Sequence, residues 1–539
     1  AAFAEERGNF GRSMVITQQG IVSTSQTLAS QAGAQILAKG GSAVDAAIAA
    51  NAVLGITEPM MNGIGGDLFV IYREASGKIH GLNASGWAPQ AMSIQSLAAK
   101  GVKGKFPDKG IHTVTVPGCV DGWAKAHARF GRLPWKDLFS AAIYYAEQGF
   151  PVAEVIQSSW RGLATNTAAT PESKRVYLPV PAVGEVFRNR GYGQALRLLA
   201  TKGPRDFYEG EIARAILTTS EKLGGTLQAA DLKEFSSQWV EPISSEYRGW
   251  RVYELPPNGQ GIAALQMLNI LETATPSPLG PHSAAELHKK LEAMKLPYAD
   301  LQPYVADPGF FKSPVTALLD KTYAADRAKL IDPKKANCQV TSGRPLGSDT
   351  TYLIVVDKDG NIASWIQSLA SGFGSAVTVE GLGFMLHNRG GTGFDLDPKL
   401  PSAVAPRKRP FHTIIPAYLE KGDEHIGFGI MGGPNQPLAH AQFVSNLADY
   451  GMNIQQALES ARFTKRNSTG CDVSIESRVK IDDLQKLSAM GHVIAIQPQH
   501  TSVMGRGAMV LHNSKTKVNY GAADSRADGS AEPEPAPVR

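Results

Sequence analysis

Cysteine is scarce in this chain. Three occur in 539 residues, Cys119, Cys338 and Cys471, far apart and at no metal-ligand spacing. They read as small buried side chains, and their odd number speaks against a disulfide framework. None is needed, because a chain of this length can bury roughly three quarters of its unfolded surface. No stretch of 18 apolar residues exists, so no membrane-spanning helix is expected. Charge of one sign is not concentrated either. The net charge is +5, and the densest basic group, Arg407-Lys408-Arg409, has no interleaved aromatics, which excludes nucleic acid as a partner. The opening residues, Ala1-Ala-Phe-Ala-Glu-Glu-Arg7, lack the charged-then-apolar pattern of a leader. That leaves a cytoplasmic place, the preferred reading, or a periplasmic or secreted one with the leader removed. A GxGxxG loop is missing too. Gly63-Ile-Gly-Gly-Asp67 has a different spacing and runs into a strand rather than a helix. The twelve histidines include no HExxH, and none is read as paired with a carboxylate or cysteine at helical spacing, so no metal and no cofactor are expected. Internal repeats are absent.

What is present is an ordinary apolar core interrupted by turn signals. Hydrophobic residues make up 43% and charged residues 19%, the balance of a globular chain. Gln26–Lys39 carries apolar residues at helical spacing and ends at Gly40-Gly41. Ser42 then caps Ala43–Leu54, which is so rich in Ala and Val that it must be buried nearly all round. Leu68–Tyr72 and Lys78–Leu82 form a hairpin around Ala75-Ser-Gly77. Helical periodicity follows at 135–148, 191–199, 210–223, 261–271 and 284–298. Residues 331–348 are polar, without period, and read as an exposed extended loop.

The character changes at Thr350. Thr350–Asp357 and Ile362–Ser368 are β-rich runs flanking Asp357-Lys-Asp-Gly-Asn361, and Asp-Gly between two apolar runs is a strong hairpin signal. Strands are expected at 414–419 and 425–431, and helices at 438–450 and 454–461. The tail, 523–539, is rich in Pro, Glu and Ala and reads as disordered. Helices outside stacked sheets make a layered α+β design.

One chemical device suits this pattern. A hydroxyl is a poor nucleophile near neutral pH, and an N-terminal threonine can use its own α-amine, of pKa about 7.7–8.0, as the base. Thr350 would start a chain if the Asp349–Thr350 bond were cut, and Gly347-Ser-Asp349 before it are small or polar. A turn centred on Asp359 sets Thr350 opposite Ser368, and opposed residues have Cβ atoms about 4.5–5.5 Å apart.

From about residue 12 to residue 529 the chain resembles the gamma-glutamyltranspeptidase family of N-terminal nucleophile hydrolases. The matching stretches are Gly40-Gly-Ser-Ala-Val-Asp-Ala-Ala-Ile48, Gly63-Ile-Gly-Gly-Asp67, Val116-Pro-Gly118 and Gln266-Met-Leu-Asn-Ile-Leu271. They continue with Glu292-Ala-Met-Lys-Leu296, Tyr298-Ala-Asp300, Asp349-Thr-Thr-Tyr-Leu-Ile-Val-Val-Asp357, Lys408-Arg-Pro410 and Gly432-Gly433. The resemblance implies a four-layer αββα sandwich. It also implies a precursor cut between Asp349 and Thr350, giving a large fragment 1–349 and a small fragment 350–539 that stay together as one compact unit. Thr350 would then be the nucleophile, Ser368 its orienting hydroxyl, and Gly432-Gly433 the oxyanion site.

The acyl pocket departs from the family. Ser85 stands where the glutamate-holding arginine is expected, Ala370 replaces an asparagine, and His412 and Thr413 replace two serines. Arg389 and Thr392 lie near the family's glutamine and aspartate. A hydroxyl cannot replace a charged bidentate fork, whereas Arg389 could supply a substitute cation or be a surface arginine in a salt bridge. His412 could hydrogen-bond a substrate carbonyl or pack. Ser85, Thr351, Arg389, His412 and Thr413 are the positions expected around the substrate. The stretch 395–409 is short, which implies a cleft without a lid. The implied activity is hydrolysis or transfer of gamma-glutamyl amides such as glutathione, with water or an amino-acid or peptide amine as acceptor. The alternatives are an acylase of the cephalosporin-acylase or oxamate type, and an uncleaved binding protein.

Overall fold

The computed structural model describes residues 12–340 and 349–537. Two seven-stranded sheets lie face to face between helical layers. The first runs, edge to edge, Val15–Thr17, Val518–Ala523, Arg506–Asn513, Glu424–Met431, Ala417–Lys421, Trp250–Glu254 and Ile243–Tyr247. The second runs Ser530–Pro533, Ile21–Thr24, Asp349–Val356, Ile362–Ala370, Asp67–Arg73, Ile79–Ala84 and Gln238–Val240. Every strand pairing in both is antiparallel. The expected αββα sandwich is what forms.

Strand periodicity explains the layering. Side chains alternate between faces of a strand. Tyr352, Ile354 and Val356 therefore join Phe69, Ile71, Ile366, Tyr418 and Val510 between the sheets. Leu353 and Val355 join the outer core with the helices Thr27–Ala38 and Ala43–Thr57. On the far side, Gly261–Glu272, Ala284–Tyr304 and Gln436–Tyr450 cover the first sheet. All fifteen residues of Ala43–Thr57 are buried, as its Ala and Val content requires. Ser42 and Asp45 close its first turn reciprocally, and Asp45 also accepts the backbone N–H groups of Arg132 and Leu133 at 2.8 and 3.1 Å.

Two readings of the sequence are corrected. The stretch 523–537 is ordered. Arg526 is buried and bonded to Asp524 at 3.0 Å and to Glu476 at 2.7 Å, and Ser530–Pro533 adds an edge strand beside Ile21–Thr24. Composition misleads there because the partners of these charges come from distant parts of the chain, and because proline is tolerated on an edge. Cys119 is free and buried as expected, but Cys338 and Cys471, 133 residues apart, form a disulfide. Residues 331–340 carry no helix or strand, as expected, yet Ala336 is held by the Met490 carbonyl at 2.7 Å, which brings Cys338 to its partner. Residues 341–348, the rest of the expected loop, lie outside the described residues.

Cys338 precedes Thr350 and Cys471 follows it. If the chain is cut before Thr350, its pieces stay covalently joined until reduced. A denaturing gel without reductant should show one species near 57.5 kDa. With reductant it should show pieces of about 37 and 20 kDa, from the residue numbers on each side of the cut at the chain's mean residue mass.

Candidate active site

The hairpin delivers its first residue to a fixed place. From Val356↔Ile362 to Thr351↔Gln367 the register is the one that the Asp-Gly turn dictates, and it slips by one between Thr351 and Asp349, where Asp349 faces Ala370. Thr350 sits at that irregularity. Its hydroxyl donates to Ser368 Oγ at 3.3 Å and receives the Gln436 side-chain amide at 3.5 Å. Ser368 Oγ in turn accepts the Ala370 backbone N–H at 2.8 Å. Ala370 pays for this with a left-handed backbone, φ +78°, which a residue with a Cβ seldom adopts.

Beside Thr350 the strand Glu424–Met431 ends in Gly432 and Gly433, with φ of +144° and +54°. Two consecutive positive φ values make this a turn for glycine alone. It leads into the helix Gln436–Tyr450, which starts at Gln436, the residue that reaches Thr350. The turn is gripped from behind. Gln260 Nε2 donates to the carbonyls of Gly433 and Thr413, both at 2.7 Å. Backbone N–H groups held this way near a nucleophile are suited to a developing oxyanion. Thr350, Gly432 and Gly505 share a cleft of about 600 Å³ with Met61, Asn166 and Arg506.

Under Thr350 lie buried charges. Thr351 is engaged by Glu58, and its hydroxyl accepts from Asn62 at 3.2 Å, so it holds the strand. Burial raises the Glu58 pKa, against the opposing field of Arg506. Asp67, paired across from Ser368, accepts the N–H groups of Gly86 at 2.9 Å and Gly118 at 3.3 Å. His412 Nε2 lies 3.0 Å and His387 Nδ1 3.3 Å from its carboxylate. Burial alone would raise its pKa, but the two imidazoles hold it well below the usual carboxylate range. His412 is pushed down to about 3, first by burial and then by Arg389. It is therefore neutral: Nε2 donates to Asp67, and Nδ1 accepts the Ile414 N–H at 3.4 Å.

The expected substrate positions divide. His412 packs 4.7 Å from Phe69, and both its ring nitrogens are engaged within the protein. Ser85 is buried; it donates to Asn83 at 2.7 Å and accepts from Asn258 at 3.2 Å, while its carbonyl holds Arg409. Arg389 is neither a surface residue nor in a salt bridge among the described residues. It is 1% exposed, bonds Thr413 Oγ1 at 2.9 Å, and leaves Nε and Nη2 without partners. Burial lowers its pKa to about 10. Thr392 only caps the Arg389 carbonyl, at 3.3 Å. The stretch 395–409 folds against Ala88, Met92 and Phe106 through Leu396 and Val404.

The sequence reading passed over Glu58, Asn62, Gln260, Gln436 and Arg506, none of which lies in a motif. Asp67 lay in a quoted motif, but its two histidines come from far along the chain. A pair at helical spacing was also missed. His288 and Glu292, four apart on one helix, meet His492 within 4.8 Å. His288 Nδ1 and His492 Nε2 already share a hydrogen bond at 2.9 Å, and Lys295 bonds Glu292 at 2.5 Å. That ammonium, with Lys465 acting on the same group, works against an added cation.

Relieving the backbone at residue 370 is measurable. Ala370→Gly should leave the stability against urea unchanged or raise it by up to about 1 kcal/mol, because relief of the left-handed strain, about 1–2 kcal/mol, outweighs the roughly 0.5–1 kcal/mol of chain entropy that glycine costs. A loss of more than about 1 kcal/mol would show that the conformation is unstrained.

A profile described as gamma-glutamyltranspeptidase matches residues 29–534. The glutathione hydrolase-like YwrD proenzyme of Bacillus subtilis is 36% identical, over 96% of this chain and 99% of that protein. The acylase ACY 1 proenzyme of Pseudomonas sp. (strain SE83) is 33% identical over 95% and 93%. The crystal structure of a cephalosporin acylase from Bacillus halodurans superposes with a TM-score of 0.90 at 39% identity, covering 99% of both chains. The chain thus belongs to the gamma-glutamyltranspeptidase family.

Proposed function

We propose that this protein is a self-cleaving amidohydrolase and acyltransferase with Thr350 as its nucleophile. The observation that carries this is the position of one hydroxyl. Thr350 Oγ1 is held between Gln436 and Ser368, at the start of a buried strand and beside a glycine turn. In maturation it attacks the carbonyl carbon of Asp349. The C–N bond breaks as an ester forms, which frees the Thr350 α-amine, and water then hydrolyses the ester to release the Asp349 carboxyl and the Thr350 hydroxyl. The large fragment is 1–349 and the small one 350–539.

In turnover that amine takes the hydroxyl proton as Oγ1 adds to a substrate amide. The Gly432–Gly433 backbone receives the oxyanion, and the proton passes to the leaving amine. Water or an acceptor amine then resolves the acyl-enzyme. Amides of the gamma-glutamyl class, glutathione among them, are the first substrates to consider. A second reading, an acylase for dicarboxylic side chains, is favoured by Ser85, whose hydroxyl is committed to Asn83 and Asn258. An uncleaved binding protein would leave the hydroxyl relay without a use.

Thr350→Ala should remain a single chain near 57.5 kDa under reduction and lose turnover; activity in that variant would refute the assignment. Ser368→Ala removes one hydrogen bond to the nucleophile, so maturation should slow roughly tenfold with the fold intact. Normal processing there would mean that the hydroxyl contact is incidental. Comparing gamma-glutamyl, glutaryl and oxalyl anilides on matured protein separates the two readings, since a gamma-glutamyl hydrolase releases aniline fastest from the first.

A further inference from the structure

Most buried arginines here have clear partners. Arg526 meets Asp524 and Glu476, Arg462 meets Asp524, and Arg409 is held by the carbonyls of Ser85 and Ser236. Arg506 is different. It is 4% exposed, and among the described residues the one hydrogen-bonding atom its guanidinium reaches is the sulfur of Met61, 3.7 Å from Nη2. Nε and Nη1 have no partner among the described residues, and no carboxylate there lies within ion-pair distance. Glu58 is the acid that feels its field, but Glu58 is turned to Thr351, and burial favours its neutral form.

The position of Arg506 gives the vacancy a meaning. It opens the strand Arg506–Asn513 opposite Met431, the residue before Gly432. It lines the same cleft as Thr350. An unpaired guanidinium is costly to bury, and one beside a nucleophile with N–H groups to spare suits an anionic oxygen ligand. Arg389 has spare nitrogens too, but it is absent from the lining of this cleft.

We infer that Arg506 receives a carboxylate of the amide substrate in the cleft that holds Thr350. This rests on the proposed function and adds its anion receptor. The carboxylate belongs either to the acyl group or to the leaving amine; the chemistry is the same, and the test separates them.

Binding is read first, without turnover. Glutarate, which has no amide to cleave, should bind the matured protein, and Arg506→Gln should weaken it by roughly ten- to a hundred-fold, the worth of a hydrogen bond to a charged group. Arg506→Lys keeps the charge and should lose less. Glutarate that fails to bind, or binds both proteins equally, overturns the proposal. Kinetics on matured enzyme then locate the carboxylate. Glutaryl anilide is compared with valeryl anilide, and valeryl 4-aminobenzoate with valeryl anilide. Arg506→Gln should lower kcat/KM for the charged member of one pair and spare its neutral member. An equal effect on every substrate would make Arg506 a counter-charge for Glu58 alone. Failure of the underlying reading looks different: no new Thr-Thr-Tyr-Leu terminus, and no amide turned over by any variant.

Discussion

The site depends on one antiparallel pairing. Strand 349–356 lies against strand 362–370 in a register fixed by the Asp-Gly turn, and that register carries Thr350 to within 3.3 Å of Ser368. A one-residue slip along the whole hairpin would send every side chain to the opposite face. The slip that does occur is confined to the last pair, so the core keeps its pattern while Thr350 leaves the regular ladder. The hairpin is also the centre of its sheet, with Ile21–Thr24 on one side and Asp67–Arg73 on the other. Thr350 is therefore set on a rigid element from both flanks.

Polar groups converge on this point from distant parts of the chain. Gln436 and the glycine turn arrive from the first sheet, Asn62 and Glu58 from the end of a buried helix, and Asp67 from the neighbouring strand. Each buried charge in this layer is a cost unless it is bonded. Asp67 meets that requirement with two backbone N–H groups and the His412 imidazole, and His387 Nδ1 lies 3.3 Å away. His412, a candidate for substrate contact by alignment, is consumed in doing so. The neutral state forced on it by burial and by Arg389 fits a hydrogen-bonding ring better than a cation.

Much of the frame was legible beforehand. The hairpin partners followed from turn chemistry and a period of two, and the burial of Ala43–Thr57 followed from its composition. The cap at Ser42 was visible because a serine stands directly before the apolar run, whereas its reciprocal bond with Asp45 came from the structure. The tail was misread because Asp524 and Arg526 look solvated until Glu476 and Arg462 are placed beside them. The Cys338–Cys471 bond escaped for the same reason, since a separation of 133 residues carries no spacing signal.

By itself the sequence determined some local objects: the hairpin around Asp359, the paired helices before residue 58, several of the later helices, and that a threonine with small or polar residues before it begins a buried strand. These follow from periodicity, caps and turn residues, which act over a few neighbours. Only the tertiary structure decided which far-off side chains meet that threonine. It gave Ser85 and His412 internal partners, and it left the guanidinium groups of Arg389 and Arg506 buried with nitrogens unspent. The physical reason is that hydrogen bonds and charges are satisfied in space, by groups hundreds of residues apart, and no local pattern records them.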